Sequence, residues 1–353
     1  MTRRSGREAA VGCGEAAVGC GEAAVGCGEA AVIARGLGRD YGGHRAVASL
    51  DLEVEAGGFY ALLGPNGAGK TTTVHMLTTL LRPSRGTARI RGVDVREDPV
   101  AVRRQVGLVF QETTLDTDLT ARENLEFTAA LYGLDRGTAR ERAGEILELF
   151  GLRERRDDRV ETFSGGMKRA LDIGRGLLHR PPVLFLDEPT VGLDPVNRRR
   201  IWRLLERIRA EREITLFLTT HYLEEAEDCD RVGIMDRGEL VAEGAPRELK
   251  RGLRPEVIEL EASRDADLRE RIEAAVGAPA RRRSFGWEVA VASAKDVLPA
   301  LLGAVEEEID GLRLRRPSLE DVFVRLTGRS IGAGGEAREP EEREGDARGD
   351  GGR

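Results

Sequence analysis

Nowhere in the chain do apolar residues run for the ~18–20 positions that a membrane-spanning helix needs, so any membrane role has to come through a partner. The start, Met1–Gly14, carries arginines but no continuous apolar segment, which argues against a secretory signal and predicts a protein of the cytoplasm. Positive charge is not in excess either. The chain has 55 Lys and Arg against 62 Asp and Glu, a net charge of −7. Binding a phosphate backbone needs a basic face, so no nucleic acid is expected as the main partner. Cysteine is scarce, four in 353 residues. Cys13, Cys20 and Cys27 belong to a repeat, Glu-Ala-Ala-Val-Gly-Cys-Gly, which starts at Glu8, Glu15 and Glu22 and dissolves after Glu29. The spacing lacks the short Cys pairs and histidines of a zinc site. Two glycines per repeat also weaken any helix. The repeat reads as tandem duplication in a tolerant terminal tail. Cys229 stands alone and reads as a packed residue.

What is present divides the chain into four parts. Residues 1–30 form the low-complexity tail. Residues 31–250 alternate short apolar runs with helical periodicity, and 254–328 form a smaller unit. Residues 329–353 hold almost nothing but Gly, Glu, Arg and Asp beyond Ile331, and read as a disordered tail. Within 31–250, Val47, Leu50, Leu52 and Val54 alternate as in a strand, and Phe59–Leu63 reads as a buried strand. A mainly helical stretch covers about Thr120–Phe150, inside a helical subdomain of about 112–180. Buried strands are expected to end at Asp187 and at Thr219-Thr220, with an amphipathic helix through Ile201, Leu204, Leu205 and Ile208 between them. Strands alternating with helices imply an α/β fold with a mainly parallel sheet covered on both faces. The terminal unit reads as strand, helix, strand, helix, strand, helix, a small α/β sandwich. The strands lie near Val257–Leu260, Trp287–Val291 and Leu312–Leu314, and the last helix near Leu319–Leu326. It carries no catalytic constellation and reads as regulatory or dimer-forming.

The chemistry concentrates in a few runs. Gly64-Pro65-Asn66-Gly67-Ala68-Gly69-Lys70-Thr71 satisfies the phosphate-loop pattern G-x-x-x-x-G-K-[ST] in full, with Thr72 following. Glycines let backbone N–H groups curl around phosphate oxygens, and the following helix adds its positive end. Lys70 is expected to reach the β- and γ-phosphates, and Thr71 to hold Mg²⁺. Val183-Leu184-Phe185-Leu186-Asp187-Glu188 is an apolar strand ending in two acids. Asp187 is assigned to Mg²⁺ and Glu188 to polarising the attacking water. Gln111 follows the strand Val106–Phe110, where a neutral amide can touch Mg²⁺ or that water. His221 ends the strand after Thr219-Thr220 and faces the ligand crevice of such a sheet. The other histidines, His44, His75 and His179, read as loop or helix-surface residues. Ser164 caps a helix whose free N–H groups face an anion, and Gly165 and Gly166 allow close backbone approach.

Together these residues resemble the ATP-binding cassette (ABC) ATPase family, in order and over about Val32–Lys250. Phe163-Ser164-Gly165-Gly166-Met167 looks like the family signature, Gln111 its Q-loop, Gly192-Leu193-Asp194-Pro195 its D-loop and His221 its switch histidine. Tyr41 matches the aromatic that stacks on adenine, just before the first strands. Phe163 and Met167 depart from the usual Leu and Gln. They are similar to the drug-resistance exporter branch, which includes the daunorubicin-resistance ATPases, as is the ending Ser318-Leu319-Glu320-Asp321-Val322-Phe323. The resemblance implies ATP and Mg²⁺ as ligands, and hydrolysis by Glu188, His221 and Gln111. It implies Ser164, Gly165, Gly166 and Asp194 acting at the ATP of a second copy, and separate integral membrane permease subunits. The protein would then sit peripherally on the cytoplasmic face of the membrane, most simply as the motor of drug or antibiotic export. The alternative is a cassette acting on ribosomes or DNA. Such forms usually carry two cassettes or a long coiled-coil insert, and only about 90 residues separate Lys70 from Ser164. A non-hydrolysing regulatory cassette would lack Glu188 or His221, and both are present. No residue names the cargo.

Overall fold

The structure is a computed structural model that describes residues 30–251, 253, 256–262, 266–284, 286–305 and 309–331. The heptapeptide repeat with its three cysteines, and the tail beyond Ile331, lie outside the described residues.

The chain enters through β1 (Ala30–Tyr41), turns at Gly42-Gly43 and returns as β2 (His44–Glu55). The opening strand was not anticipated in the sequence, where Tyr41 stands ahead of the first strands. Tyr41 in fact closes β1 and pairs with His44. Strand β3 (Phe59–Leu63) is buried at every position and feeds the glycine loop and α1 (Lys70–Leu77). Next come β4 (Arg85–Ile90), β5 (Val93–Asp94), α2 (Pro99–Gln105) and β6 (Val106–Val109). The helical subdomain follows with α3 (Ala121–Leu131), α4 (Arg136–Leu149) and α5 (Gly165–Gly176). Thr120 and Glu123 form a reciprocal capping box at α3, and Asp135 caps α4. The sheet resumes with β7 (Val183–Asp187), α6 (Pro195–Arg212), β8 (Thr215–Thr220), α7 (Leu223–Glu227), β9 (Arg231–Asp236), β10 (Glu239–Gly244) and α8 (Pro246–Lys250). Helix α5 ends at Gly176, before Pro181-Pro182.

The large sheet has the order β5-β4-β1-β2-β10-β9-β3-β8-β7-β6. Strands β9, β3, β8, β7 and β6 pair in parallel, and β1, β2, β4 and β5 form an antiparallel flank. Period-2 alternation splits the sheet between two cores. Tyr60, Leu62, Phe185 and Phe217 face α1, β1 and β2, whereas Phe59, Ala61, Leu63, Leu184, Leu186 and Leu218 face the helical subdomain and α6. Both faces are therefore covered, which is why β3, β7 and β8 read as continuous apolar runs. Cys229 is buried against this second core, and burial pushes its thiol well up.

A second sheet, β12-β13-β11-β14, is antiparallel and lies in the terminal unit. It is built from β11 (Glu256–Ala262), α9 (Ala266–Val276), β12 (Ala280–Arg283), β13 (Gly286–Val291), α10 (Ala294–Val305) and β14 (Ile309–Arg315). Ile258, Leu260, Trp287 and Val289 close a core with Leu268 and Ile272 of α9 and Leu301 of α10. Strand β12 was missed in the sequence. Its Arg281-Arg282-Arg283 run is exposed at the sheet edge, with Arg283 paired to Glu288 at 2.9 Å. The last helix, α11 (Leu319–Thr327), belongs elsewhere than expected. Leu319, Val322 and Phe323 enter the large core, not the small one, and Ile331 packs there as well. Arg329 pairs with Asp236 of β9.

His179 also differs from the surface residue its sequence position suggests. Its ring stacks on Tyr132 at 3.8 Å and 8°, and Nε2 lies 3.0 Å from the Val106 carbonyl, so the neutral ring donates there. Burial lowers its pKa to about 4, with Arg142 adding to the effect. The folded pKa thus lies below the ordinary 6.5. Stability is complete above pH 6.5, is lost as pH falls toward 4, and loses nothing more from this group below that. At pH 5 the loss comes to about 2 kcal/mol. Thermal unfolding at pH 7 and pH 5 should show this drop in the wild type and a drop about 2 kcal/mol smaller in His179→Phe, which keeps the stack. Equal pH dependence of the two proteins would refute it.

Candidate active site

Parallel register brings the motifs to one rim. Leu63 pairs with Thr220, Asp187 with Thr219, and Val109 with Leu186, so the strands end level. Residues just past those ends must meet: Gly64, Gln111, Glu188 and His221. This is the carboxyl-end crevice where open α/β sheets place ligands.

The glycine loop lies in that crevice. Gly64 N donates to Thr220 O at 3.2 Å and Ala68 N to Pro65 O at 3.2 Å, which curls the loop. Gly69, at φ +102, is the N-cap of α1 and offers no side chain to its free N–H groups. Gly67, at φ +80, has open space where a Cβ would be. The loop therefore presents a cradle of N–H donors at a helix N-terminus, which fits a phosphate. A cleft of about 490 Å³ opens over it. Tyr41, His44, Ala46, Asn66, Gly67, Gly69, Lys70, Thr71, Thr72, Gln111 and Glu188 line the cleft. His44 was not anticipated here; it opens β2 across the turn from Tyr41. His75 stays on α1, edge-on to Phe110 at 6.3 Å.

The Lys70 ammonium donates to Gly64 O at 2.8 Å and Pro65 O at 3.2 Å, and lies 3.2 Å from Glu188 Oε1. Burial lowers its pKa, while Glu188 and then Asp187 pull it back up. Asp187 accepts from the hydroxyls of Thr71, at 3.2 Å, and Thr219. Glu188 stands at φ +44, a left-handed backbone for a non-glycine residue. Its N–H donates to Thr219 Oγ1 at 3.1 Å and Thr219 O at 3.2 Å. Gln111 Nε2 donates to Glu188 Oε2 at 3.3 Å, and His221 Nδ1 lies 3.3 Å from Oε1 without hydrogen-bond geometry. Among the described residues no group of three or more His, Cys, Asp or Glu forms a metal cage. One carboxylate with a hydroxyl and an amide suits Mg²⁺ carried in with phosphates and water.

Nine predicted site residues are absent from the lining of this cleft. Gly64, Pro65, Asp187 and His221 lie against Lys70, Thr71 or Glu188, and Ala68 is within the loop, whereas Ser164, Gly165, Gly166 and Asp194 stand at the starts of α5 and α6. Ser164 is exposed and caps α5, its Oγ accepting from Met167 N at 3.3 Å. Gly165 has nothing within 4 Å of a built Cβ. Asp194 caps α6 through the N–H groups of Val196 and Asn197, and the Asn197 bonds lower its pKa.

Two charged residues were missed in the sequence. Arg169 of α5 is 4% exposed and bonds backbone carbonyls beside Gln111 and Glu188. Glu225 of α7, 3% exposed, accepts from Thr220 Oγ1 at 2.6 Å and from the Thr190 hydroxyl. It ties the segment after Glu188 to the strand before His221. Position within a charged helical run hides such residues, and only the packed neighbours reveal them.

A family model described as ABC transporter matches residues 47–191. The chain is 42% identical over 311 residues to the daunorubicin/doxorubicin resistance ATP-binding protein DrrA of Streptomyces peucetius, covering 83% of this chain and 91% of that one. It is 40% identical over 301 residues to the Nod factor export ATP-binding protein I of Burkholderia orbicola, covering 84% and 97%. Among solved structures, the dimeric post-hydrolysis state of the ATP-binding cassette MJ0796 bound to ADP and Pi matches with a TM-score of 0.56 at 26% identity, over 61% of this chain and 98% of that one. The chain belongs to the ABC transporter family of ATP-binding proteins, alongside the daunorubicin-resistance type, and is an ATPase.

Proposed function

We propose that the chain is the ATP-hydrolysing subunit of an exporter, that two copies close around two ATP molecules, and that separate membrane permease subunits carry the cargo. The observation that carries the pairing is the split of the site. Lys70, Thr71, Gln111 and Glu188 line one cleft, whereas Ser164 and Gly165 face open space elsewhere. A nucleotide-binding helix end with no nucleotide cleft beside it is explained by the cleft of a second copy.

Within one copy the roles follow from placement. Tyr41, at the cleft wall, stacks on the adenine, and the backbone from Gly64 to Thr72 surrounds the phosphates. Lys70 supplies positive charge to the β- and γ-phosphates. Thr71, Asp187 and Gln111 hold Mg²⁺, which neutralises phosphate charge when bound. Glu188 orients and deprotonates the attacking water, and His221 holds Glu188 and the γ-phosphate in line. Asp194 communicates between the sites of the pair. The proposed domain division is a cassette over 31–250, with a helical subdomain of about 112–180, and an accessory unit over 254–328 whose last helix, α11, packs on the cassette.

The permease partner is supported by an apolar surface on the helical subdomain. Phe127 and Leu131 are 60% and 71% exposed, and Leu131, Tyr132 and Val100 border a groove with Arg103 and Arg104. No helix among the described residues is long and apolar enough to cross a membrane. A membrane protein seated on that surface places the chain on the cytoplasmic face. Drug efflux is the favoured cargo class, because DrrA aligns over most of the chain and the Ser318–Phe323 ending resembles that branch. Affinity purification from detergent-solubilised membranes tests the reading. A polytopic membrane protein should co-purify, and recovery of ribosomes or DNA in its place would sink it.

A further inference from the structure

The guanidinium of Arg169 uses all five of its N–H donors on backbone carbonyls. Nε donates to Pro189 O at 2.6 Å. Nη1 donates to Phe110 O at 2.5 Å and Gln111 O at 3.4 Å. Nη2 donates to Asp187 O and Glu188 O, both at 3.2 Å. The fork thus bridges two chain segments, the end of β6 and the end of β7. These are the segments that carry Gln111 and Glu188. Three consecutive carbonyls converge on one side chain where Glu188 takes its left-handed turn, at φ +44. On the opposite side Thr219 holds the Glu188 N–H. The peptide frame of Glu188 is therefore gripped from both flanks, by β8 and by α5. Asp172 lies 3.5 Å from Arg169 and is itself held by Arg175 at 2.7 Å, so the buried charge is balanced.

Arg169 belongs to the helix that begins at Ser164, less than two turns further on. A rigid helix transmits displacement along its axis, and a buried, fully bonded side chain follows its helix. We propose that Arg169 is the positioning residue that couples the Ser164 end of α5 to Glu188 and Gln111 of the same chain. Closure of Ser164 on the nucleotide of the second copy then sets the hydrolytic geometry of the chain that owns that Ser164. The coupling rests on the pairing proposed above. It links each site to its neighbour through the protein interior, where contact at the interface alone would link only what touches.

Lysine keeps the charge but offers three donors from one point, and cannot span both segments as the planar fork does. Arg169→Lys in the full-length chain should keep the wild-type affinity for ATP in the isolated copy. In a Glu188→Gln background it should still pair with ATP on size-exclusion chromatography. With Glu188 intact, kcat should fall about 100-fold, the scale of a roughly 1 Å misplacement, with KM little changed. Arg169→Ala with added guanidinium should regain part of that rate. Wild-type kcat in Arg169→Lys would overturn the proposal, as would a loss of kcat that only tracks a loss of folded protein and of nucleotide affinity. Failure of Glu188→Gln to pair when Arg169 is intact would instead refute the pairing, and the coupling with it.

Discussion

Replacing Glu188 by Gln should lower ATP turnover by about 10²–10⁴-fold while leaving ATP binding intact, and should accumulate an ATP-filled pair of copies. The substitution keeps shape and removes only the ability to accept a proton. Glu188 is suited to that task by its surroundings. Its Oε1 lies within 3.3 Å of both the Lys70 ammonium and His221 Nδ1, and its Oε2 accepts from Gln111. The backbone is fixed through Thr219 and Arg169, so the carboxylate cannot drift to solvent. Gln keeps the left-handed backbone and one oxygen to accept from Gln111, but then turns its NH2 toward Lys70, which loses its ion partner. Lys70 then turns its charge wholly toward phosphate, which favours the bound state. Phosphate release measures the first effect, and size-exclusion chromatography with and without ATP measures the second. Turnover at the wild-type rate in Glu188→Gln would remove Glu188 from the chemistry.

The parts of this site that were legible in the sequence are those whose chemistry demands a residue type at a spacing. A phosphate loop needs its glycines and its lysine wherever the strand ends, and an apolar strand ending in two acids stands out from any helix. The level strand ends then follow from the parallel sheet, which brings Gly64, Gln111, Glu188 and His221 to one rim. Buried charged residues that tie segments together were not legible. Arg169 sits in a run that reads as a solvated helix face, and Glu225 is the second of two adjacent glutamates. Their burial is decided by strands distant in the chain. The same limit applies to α11. Its periodicity identifies an apolar face, and nothing local says which of two cores receives Leu319 and Phe323. Strand β12 was hidden for the opposite reason, because three arginines in a row look like a loop until the Glu288 partner is seen. Tyr41 was read as standing ahead of the first strands, whereas it closes β1 and lines the cleft. The bulged pairing of β1 with β2 breaks the alternation that would have marked the strand.

Ser164→Arg should separate the two halves of the site. In the isolated chain ATP binding should be unchanged, since Ser164 does not line the cleft around Lys70 and Thr71. Hydrolysis by the assembled protein should fall by at least about 100-fold, the scale of removing a donor aimed at developing negative charge. The local cost is small. Ser164 Oγ caps α5 by accepting from Met167 N, and loss of such a cap costs about 1 kcal/mol, which a buried helix anchored by Arg169, Leu171 and Ile173 tolerates. What changes is the exposed surface. Gly165 beside it has free space around its Cα, so the chain itself gives no reason for a small residue there. A long cationic side chain fills the gap through which a second copy's nucleotide approaches the α5 N–H groups. Fluorescent-nucleotide titration and phosphate release on one preparation measure both halves. Loss of nucleotide binding by the isolated chain would place Ser164 in its own cleft. Full hydrolysis by the variant would remove the α5 terminus from the site altogether. Intact binding with lost turnover, from a substitution that lies outside the chain's own cleft, is the outcome expected of an active site built from two copies.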